Sequence, residues 1–362
     1  MGKYNFDEVI DRHGTDCLKY DFGMKRKGRD DLLPLWVADM DFRLPDEILD
    51  EFHKRIDHGI FGYTDPLDEY FDAMNHWFST RYGYTIEPEW VTLGAGIVYA
   101  LGTSVKAFTE EGDAMMVMQP VYYPFSEVIK NDGRKLVNCQ LRYENNRYSI
   151  DFEKMEQMIK EENVKALIFC NPHNPVGRVW TREEMEKVAE ICLKYNVIWM
   201  VDEMHCDFIF PGHEFTSCMN LDKKFHEIIA LYSSPGKTFN VAGLQPANII
   251  IPNDELRKKY QWANTQGAYS QGSLMGQLAV KVCYTKGADW VDELVEYIYE
   301  NVKYMSRYVK ENFPKAKMVE PEGTYLVWVD FSGYGFSNEE LEHLMLEEAK
   351  FWNHLWTRDS TV

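Results

Sequence analysis

The chain has 362 residues, 45% of them apolar and 14% aromatic, enough for a large buried core and too apolar for a disordered chain. Its 39 basic and 58 acidic residues leave a formal charge of −19. That balance argues against nucleic acid or an anionic membrane as a main partner.

The start, Met1-Gly-Lys-Tyr-Asn-Phe-Asp-Glu8, is charged and carries no signal-peptide core, and Phe6 stands where myristoylation after Gly2 needs Ser or Thr. No apolar run reaches the length of a membrane span. The seven cysteines contain no C-x-x-C pair. A reduced, cytoplasmic protein without a metal site is therefore expected. Residues 1–49 read as a segment that joins a smaller unit formed mainly by the far end of the chain.

Residues 50–288 alternate between strand and helix signals. Trp90-Val-Thr-Leu93 is a short strand, and Leu93-Gly-Ala-Gly-Ile97 turns into an apolar helix reaching Phe108. Ala114-Met-Met-Val-Met118, Ala166-Leu-Ile-Phe-Cys170, Val197-Ile-Trp-Met-Val201 and Ile228-Ile-Ala-Leu-Tyr232 are continuous apolar runs. Such runs suit strands covered on both faces. Between two of them, Thr181 and Glu184 form a capping box, and Met185, Val188, Ala189, Cys192 and Leu193 repeat at the spacing of one buried helix face. The next strand follows Asn196 at once. These are βαβ units, and they predict an α/β domain with a doubly wound, mostly parallel sheet. Residues 289–362 change character. A long helix is expected over 289–312, a strand over Tyr325-Leu-Val-Trp-Val329, and a helix after the capping box of Ser337 and Glu340. They form a smaller α+β unit.

In open α/β sheets, ligands collect beyond the carboxyl ends of the strands, and the chemistry-bearing residues fall at such ends. The Gly94-Ala95-Gly96 turn lets backbone N–H groups approach an anion at a helix start, with Ser233 and Ser234 as further donors. Its plain alternative is an ordinary turn. Asp202 ends an apolar strand, where a carboxylate needs a cation. A protonated pyridine nitrogen would serve, as would a structural salt bridge. Asn174 lies between Pro172 and Pro175 and can reach a ring hydroxyl, or be simple turn chemistry. His205 can reach the same hydroxyl, and Tyr122 can lie on a ring face. Lys237, in Ser233-Ser-Pro-Gly-Lys237, is alone a solvated loop lysine. In series with the other segments, it is placed to hold pyridoxal phosphate covalently.

The chain resembles the fold-type I pyridoxal phosphate enzymes of the class I/II aminotransferase superfamily, in particular their cystathionine β-lyase/C–S lyase branch of the MalY/PatB type. The likeness is carried by Pro34-Leu-Trp-Val-Ala-Asp-Met-Asp-Phe42, Gly62-Tyr-Thr64, Asn171-Pro-His-Asn-Pro-Val-Gly-Arg-Val-Trp180, Asp202-Glu-Met-His205 and Lys237-Thr-Phe-Asn-Val-Ala-Gly243. The resemblance implies pyridoxal 5′-phosphate as cofactor, Lys237 as its covalent anchor and Asp202 as partner of the ring nitrogen. It places Asn174 and His205 near the ring hydroxyl, Tyr122 on the ring, and Ala95, Gly96 and Ser234 on the phosphate. Val37 and Ala38 would line the substrate side. Tyr63 would reach the phosphate of a neighbouring subunit, which implies a homodimer with shared sites.

The implied activity is β-elimination on a sulfur amino acid, giving a thiol, pyruvate and ammonia. The cofactor residues equally suit an aminotransferase. Relatives of this type run further and end with an arginine that grips the substrate carboxylate. Residues 351–362 depart from that pattern, and Arg358 does not stand in the expected context. The small unit is therefore expected to be incomplete, which leaves a catalytically impaired cofactor-binding or regulatory protein as a third reading.

Overall fold

A computed structural model describes residues 2–268, 271–353 and 355. Seven strands form its central sheet. In chain order they are β1 (Val91–Leu93), β2 (Ala114–Val117), β3 (Lys135–Asn138), β4 (Ala166–Cys170), β5 (Ile198–Asp202), β6 (Ile229–Ser233) and β7 (Asn248–Ile250). Their order across the sheet is β1-β7-β6-β5-β4-β2-β3. The run from β6 to β3 is parallel, and β7 is antiparallel to both of its neighbours.

The continuous apolar runs have a direct physical reason. Successive strand residues point to opposite faces, and both faces are covered. Leu167, Phe169, Trp199, Val201, Ile229 and Leu231 enter one core. Their sequence neighbours Ala166, Ile168, Cys170, Met200, Ala230 and Tyr232 enter the other. A polar residue at any of these places would lie in a core. Helix α1 (Ile97–Phe108) covers one face through Ala100, Leu101 and Val105. Helix α2 (Arg182–Lys194) covers the other through Met185, Val188, Ala189 and Cys192. The Thr181 hydroxyl accepts from the Glu184 N–H and the Glu184 carboxylate from the Thr181 N–H, a cap that contributes about 1 kcal/mol.

Register then aligns the strand ends. Cys170 lies beside Asp202, and Asp202 beside Tyr232. Because β7 runs backwards, its first residue, Asn248, lies between Leu93 and Ser233. The loops that leave β1, β2, β4, β5 and β6 thus open on a single edge of the sheet. Among the described residues no helix is long and apolar enough to cross a membrane.

Beyond the sheet, helix α3 (Ala288–Asn312) packs Trp290, Val291, Leu294, Ile298 and Val302 into the first core. Leu33–Pro34 pairs in parallel with Phe351–Trp352, which brings the N-terminal segment onto the C-terminal part. One expectation needs correction here. Of the run from Tyr325 to Val329, only its end is a strand: Trp328–Asp330 pairs with Lys317–Val319. Thr324 adopts φ +68° and donates its N–H to the Phe208 carbonyl at 2.8 Å, so residues 324–327 turn inward instead of pairing. The helix after Ser337 starts at its capping box, as expected. Asn338–His343 gives way to a π-helical turn over Leu344–Glu348.

Candidate active site

The loop after β4 is built to be rigid. Arg178 is only 1% exposed. Its guanidinium pairs with Glu322 at 2.9 Å and Glu184 at 2.8 Å and also donates to the Tyr148 carbonyl. Gly177 has φ +74°, and a Cβ there would lie 2.7 Å from that of Pro321. Only glycine fits this crossing. The loop so held presents Asn174, whose carbonyl accepts from the Tyr122 N–H at 3.0 Å. Its side-chain amide lies 3.5 Å from His205 Nε2. Tyr122, after β2, sets its ring edge-on to Phe125 at 5.7 Å.

Asp202, the last residue of β5, is 6% exposed. One carboxylate oxygen accepts from the Met204 N–H at 3.0 Å. Among the described residues no basic side chain forms an ion pair with it. Burial pushes its pKa up to about 6, opposed by the Met204 hydrogen bond and by the charge of Lys237. The adjacent acid turns the other way. Glu203 accepts from the Ser217 hydroxyl at 2.7 Å and the Cys218 N–H at 2.8 Å, and so anchors that loop. His205 is 3% exposed. Burial, then the Lys237 charge, lowers its pKa to about 3, so the imidazole is neutral. Its Nδ1 has no hydrogen-bond partner among the described residues.

Lys237 follows β6 through the Ser234 turn. Its Nζ donates to the Ala38 carbonyl at 2.6 Å. That oxygen also accepts from the Tyr325 hydroxyl at 3.0 Å, and the Tyr325 ring lies 5.1 Å from that of His205. Burial pulls the amine below its ordinary pKa, against Asp39 and Asp202, which favour the ammonium. The backbone around it is fixed on both sides. Thr238 donates to the buried Asp207 at 2.6 Å. Asn240 exchanges two hydrogen bonds with the backbone of Met40, at 3.0 and 2.7 Å. Val37 stands in the same tight turn, its carbonyl accepting from the Asp39 N–H at 2.9 Å.

At the start of α1, Gly96 has φ +90° and no side chain caps the first turn. The first N–H groups of such a helix lack intrahelical acceptors and attract an anion. Ser234 is less free than its sequence position suggests. Its hydroxyl donates to the Pro246 carbonyl at 2.6 Å and accepts from the Gly236 N–H at 3.0 Å. Tyr63 is 97% exposed and stands apart from this cluster within the chain. Arg358 lies outside the described residues.

The structure therefore brings Lys237, Asp202, Asn174, His205, Tyr122, Val37 and Ala38 together, with Ala95 and Gly96 at the neighbouring helix start. Sequence reasoning missed Tyr325, Asn240 and Asp39. The last two lie inside motifs that were singled out, which was the available signal. A buried carboxylate without a paired cation, a neutral imidazole with an unpartnered nitrogen and an uncapped helix N-terminus fit one kind of guest. It is a flat ring with a protonated nitrogen, a hydroxyl and a phosphate, held beside an amine.

Comparison with known proteins agrees with this chemistry. The profile of the aminotransferase class I and II family matches residues 30–360. Cystathionine beta-lyase PatB of Bacillus subtilis is 40% identical over 346 residues, which cover 96% of this chain and 89% of that protein. Cystalysin from Treponema denticola, whose structure contains a pyridoxal 5′-phosphate cofactor, superposes with a TM-score of 0.93 at 35% identity, covering 96% of this chain and 89% of its own. A PLP-bound putative aminotransferase from Clostridium difficile gives 0.94 at 38% identity, over 96% of this chain and 90% of the other. The chain belongs to the class I and II aminotransferase family.

Proposed function

We propose that this protein holds pyridoxal 5′-phosphate and catalyses β-elimination on a sulfur amino acid, cystathionine or cysteine, releasing a thiol, pyruvate and ammonia. The observation that carries the reading is Asp202: a carboxylate buried at a strand end with no ion-paired side chain among the described residues, facing a site that also holds a buried amine. Lys237 would anchor the cofactor, Asp202 would pair with its ring nitrogen, and Asn174 and His205 would meet the ring hydroxyl. Tyr122 would cover the ring, and Ala95, Gly96 and the Ser234 turn would hold the phosphate. When bound, the cofactor supplies an electron sink for charge that develops at the substrate α-carbon.

The chain's own groups do the rest. Lys237 Nζ, with its affinity for a proton lowered by burial, takes the α-proton. The Ala38 carbonyl keeps that amine on one side of the site, and Tyr325 keeps the carbonyl in place. The same Nζ can then deliver the proton to the departing sulfur. The low pKa of His205 makes it a neutral hydrogen-bonding group and not a second base.

Substrate choice comes from the likeness to PatB and cystalysin, and the reaction can be separated from transamination. Given L-cystathionine and no keto acid, the loaded protein is expected to release pyruvate continuously. No pyruvate, together with amino-group transfer once a keto acid is added, would assign it to the aminotransferases.

A homodimer in a reducing cytoplasm belongs to the same reading. Ile56, Ile60, Phe61, Tyr63 and Leu67 form an exposed apolar run suited to a second copy, and Tyr63 would there reach the partner's phosphate. All seven cysteines are free.

A further inference from the structure

The turn that receives the Lys237 amine is held by a cluster of four charges. Arg12 grips the Asp39 carboxylate with both of its terminal nitrogens, at 3.0 and 2.9 Å, and donates to the Met40 carbonyl at 3.1 Å and to Asp41 at 2.8 Å. Lys19, 4% exposed, donates to Asp41 at 2.9 Å and to the Asp39 carbonyl at 3.1 Å, and lies 3.5 Å from the Asp39 carboxylate. Two cations thus balance two anions. Asp39 follows Ala38 directly, and Ala38 is the residue whose carbonyl holds Lys237 Nζ.

We propose that Arg12 is a positioning residue for Lys237. By clamping Asp39 and Met40 it fixes the turn that holds the lysine amine, and it cancels the carboxylate charge that would otherwise keep that amine protonated. This rests on the assignment of Lys237 as the cofactor lysine. Asp39 faces Lys237 from the N-terminal turn, Asp202 from β5 and the neutral His205 from the loop beyond it. Tyr325 meets the lysine through the shared carbonyl. Of the two anions, Asp39 is the one with a guanidinium on it. Without Arg12, Asp39 would keep only Lys19, 3.5 Å away and shared with Asp41, so more of its negative charge would act on a partly desolvated site. Arg suits the task better than Lys because its planar fork matches a carboxylate and it stays charged.

The test uses the full chain freed of cofactor. Pyridoxal phosphate is added across a pH series, and the rate at which the yellow covalent form appears is followed. Only the unprotonated amine reacts, so the midpoint of the rate profile reports Lys237 directly, without turnover. Arg12→Gln is expected to move the midpoint up by about one pH unit, slowing capture about tenfold below it. Asp39→Asn should move it down, and the double variant should return near the parent.

A purely structural role predicts something else: equal slowing at every pH in Arg12→Gln, with no recovery in the double variant. That result overturns the inference. If Arg12→Gln does not fold, Asp39→Asn decides alone, and an unchanged or raised midpoint counts against it. If the parent captures no cofactor, or Lys237→Ala captures it equally well, the lysine assignment fails first and this inference falls with it.

Discussion

Lys237→Ala is expected to reduce pyruvate release from cystathionine by more than about 10⁴-fold, because one group is assigned both the covalent anchor and the proton transfer. The fold should survive. Among the described residues the Lys237 amine donates only to the Ala38 carbonyl, which keeps the Tyr325 hydroxyl as donor, and the turn stays bound to Asn240. The variant should therefore melt close to the parent in the absence of cofactor. Measuring turnover and melting on the same preparation separates loss of chemistry from loss of structure. Turnover within tenfold of the parent would remove Lys237 from the mechanism.

Asp202→Asn is expected to cut turnover by about 10²- to 10³-fold, the scale of losing one well-placed charge in a site that excludes water. It should also stabilise the cofactor-free protein, and the pH dependence gives the sign. Folding raises the Asp202 pKa from 3.8 to about 6, so the native state holds its proton more tightly than the unfolded chain. Stability is then lost as pH rises from about 4 to 6, and the loss persists above that. On this basis wild type without cofactor carries a penalty of roughly 3 kcal/mol at neutral pH. Asparagine does not ionise and escapes it. Unfolding measured near pH 7.5 should show the variant as the more stable, with the gap closing near pH 4. A variant less stable than wild type at pH 7.5 would mean that Asp202 has a cationic partner in the empty site.

Much of the architecture was legible because its signals are local. An apolar run such as Ala166-Leu-Ile-Phe-Cys170 can be read as a doubly covered strand since each residue has a core on its own side of the sheet. Thr181 and Glu184 mark a helix start because both bonds of the cap lie within four residues. Asp202 could be located at a strand end for the same reason. What the sequence concealed depends on distant segments. Tyr325 opens a run of strand composition, and its inward course comes from the bond between the Thr324 N–H and the Phe208 carbonyl. Arg12 meets Asp39 across 27 residues, and no periodicity encodes such a contact. The bonds of the Ser234 hydroxyl to the Pro246 carbonyl and the Gly236 N–H, which shape its turn, are likewise invisible in the sequence. Tyr63 is exposed within the chain, so its proposed role depends on a second copy.

Locating the cofactor by chemistry is the most direct test. The loaded protein is reduced with borohydride, digested and weighed by mass spectrometry. The predicted result is a single pyridoxyl-phosphate mass increment on the peptide that contains Lys237. An increment on a different lysine, or none on any peptide, would contradict the account.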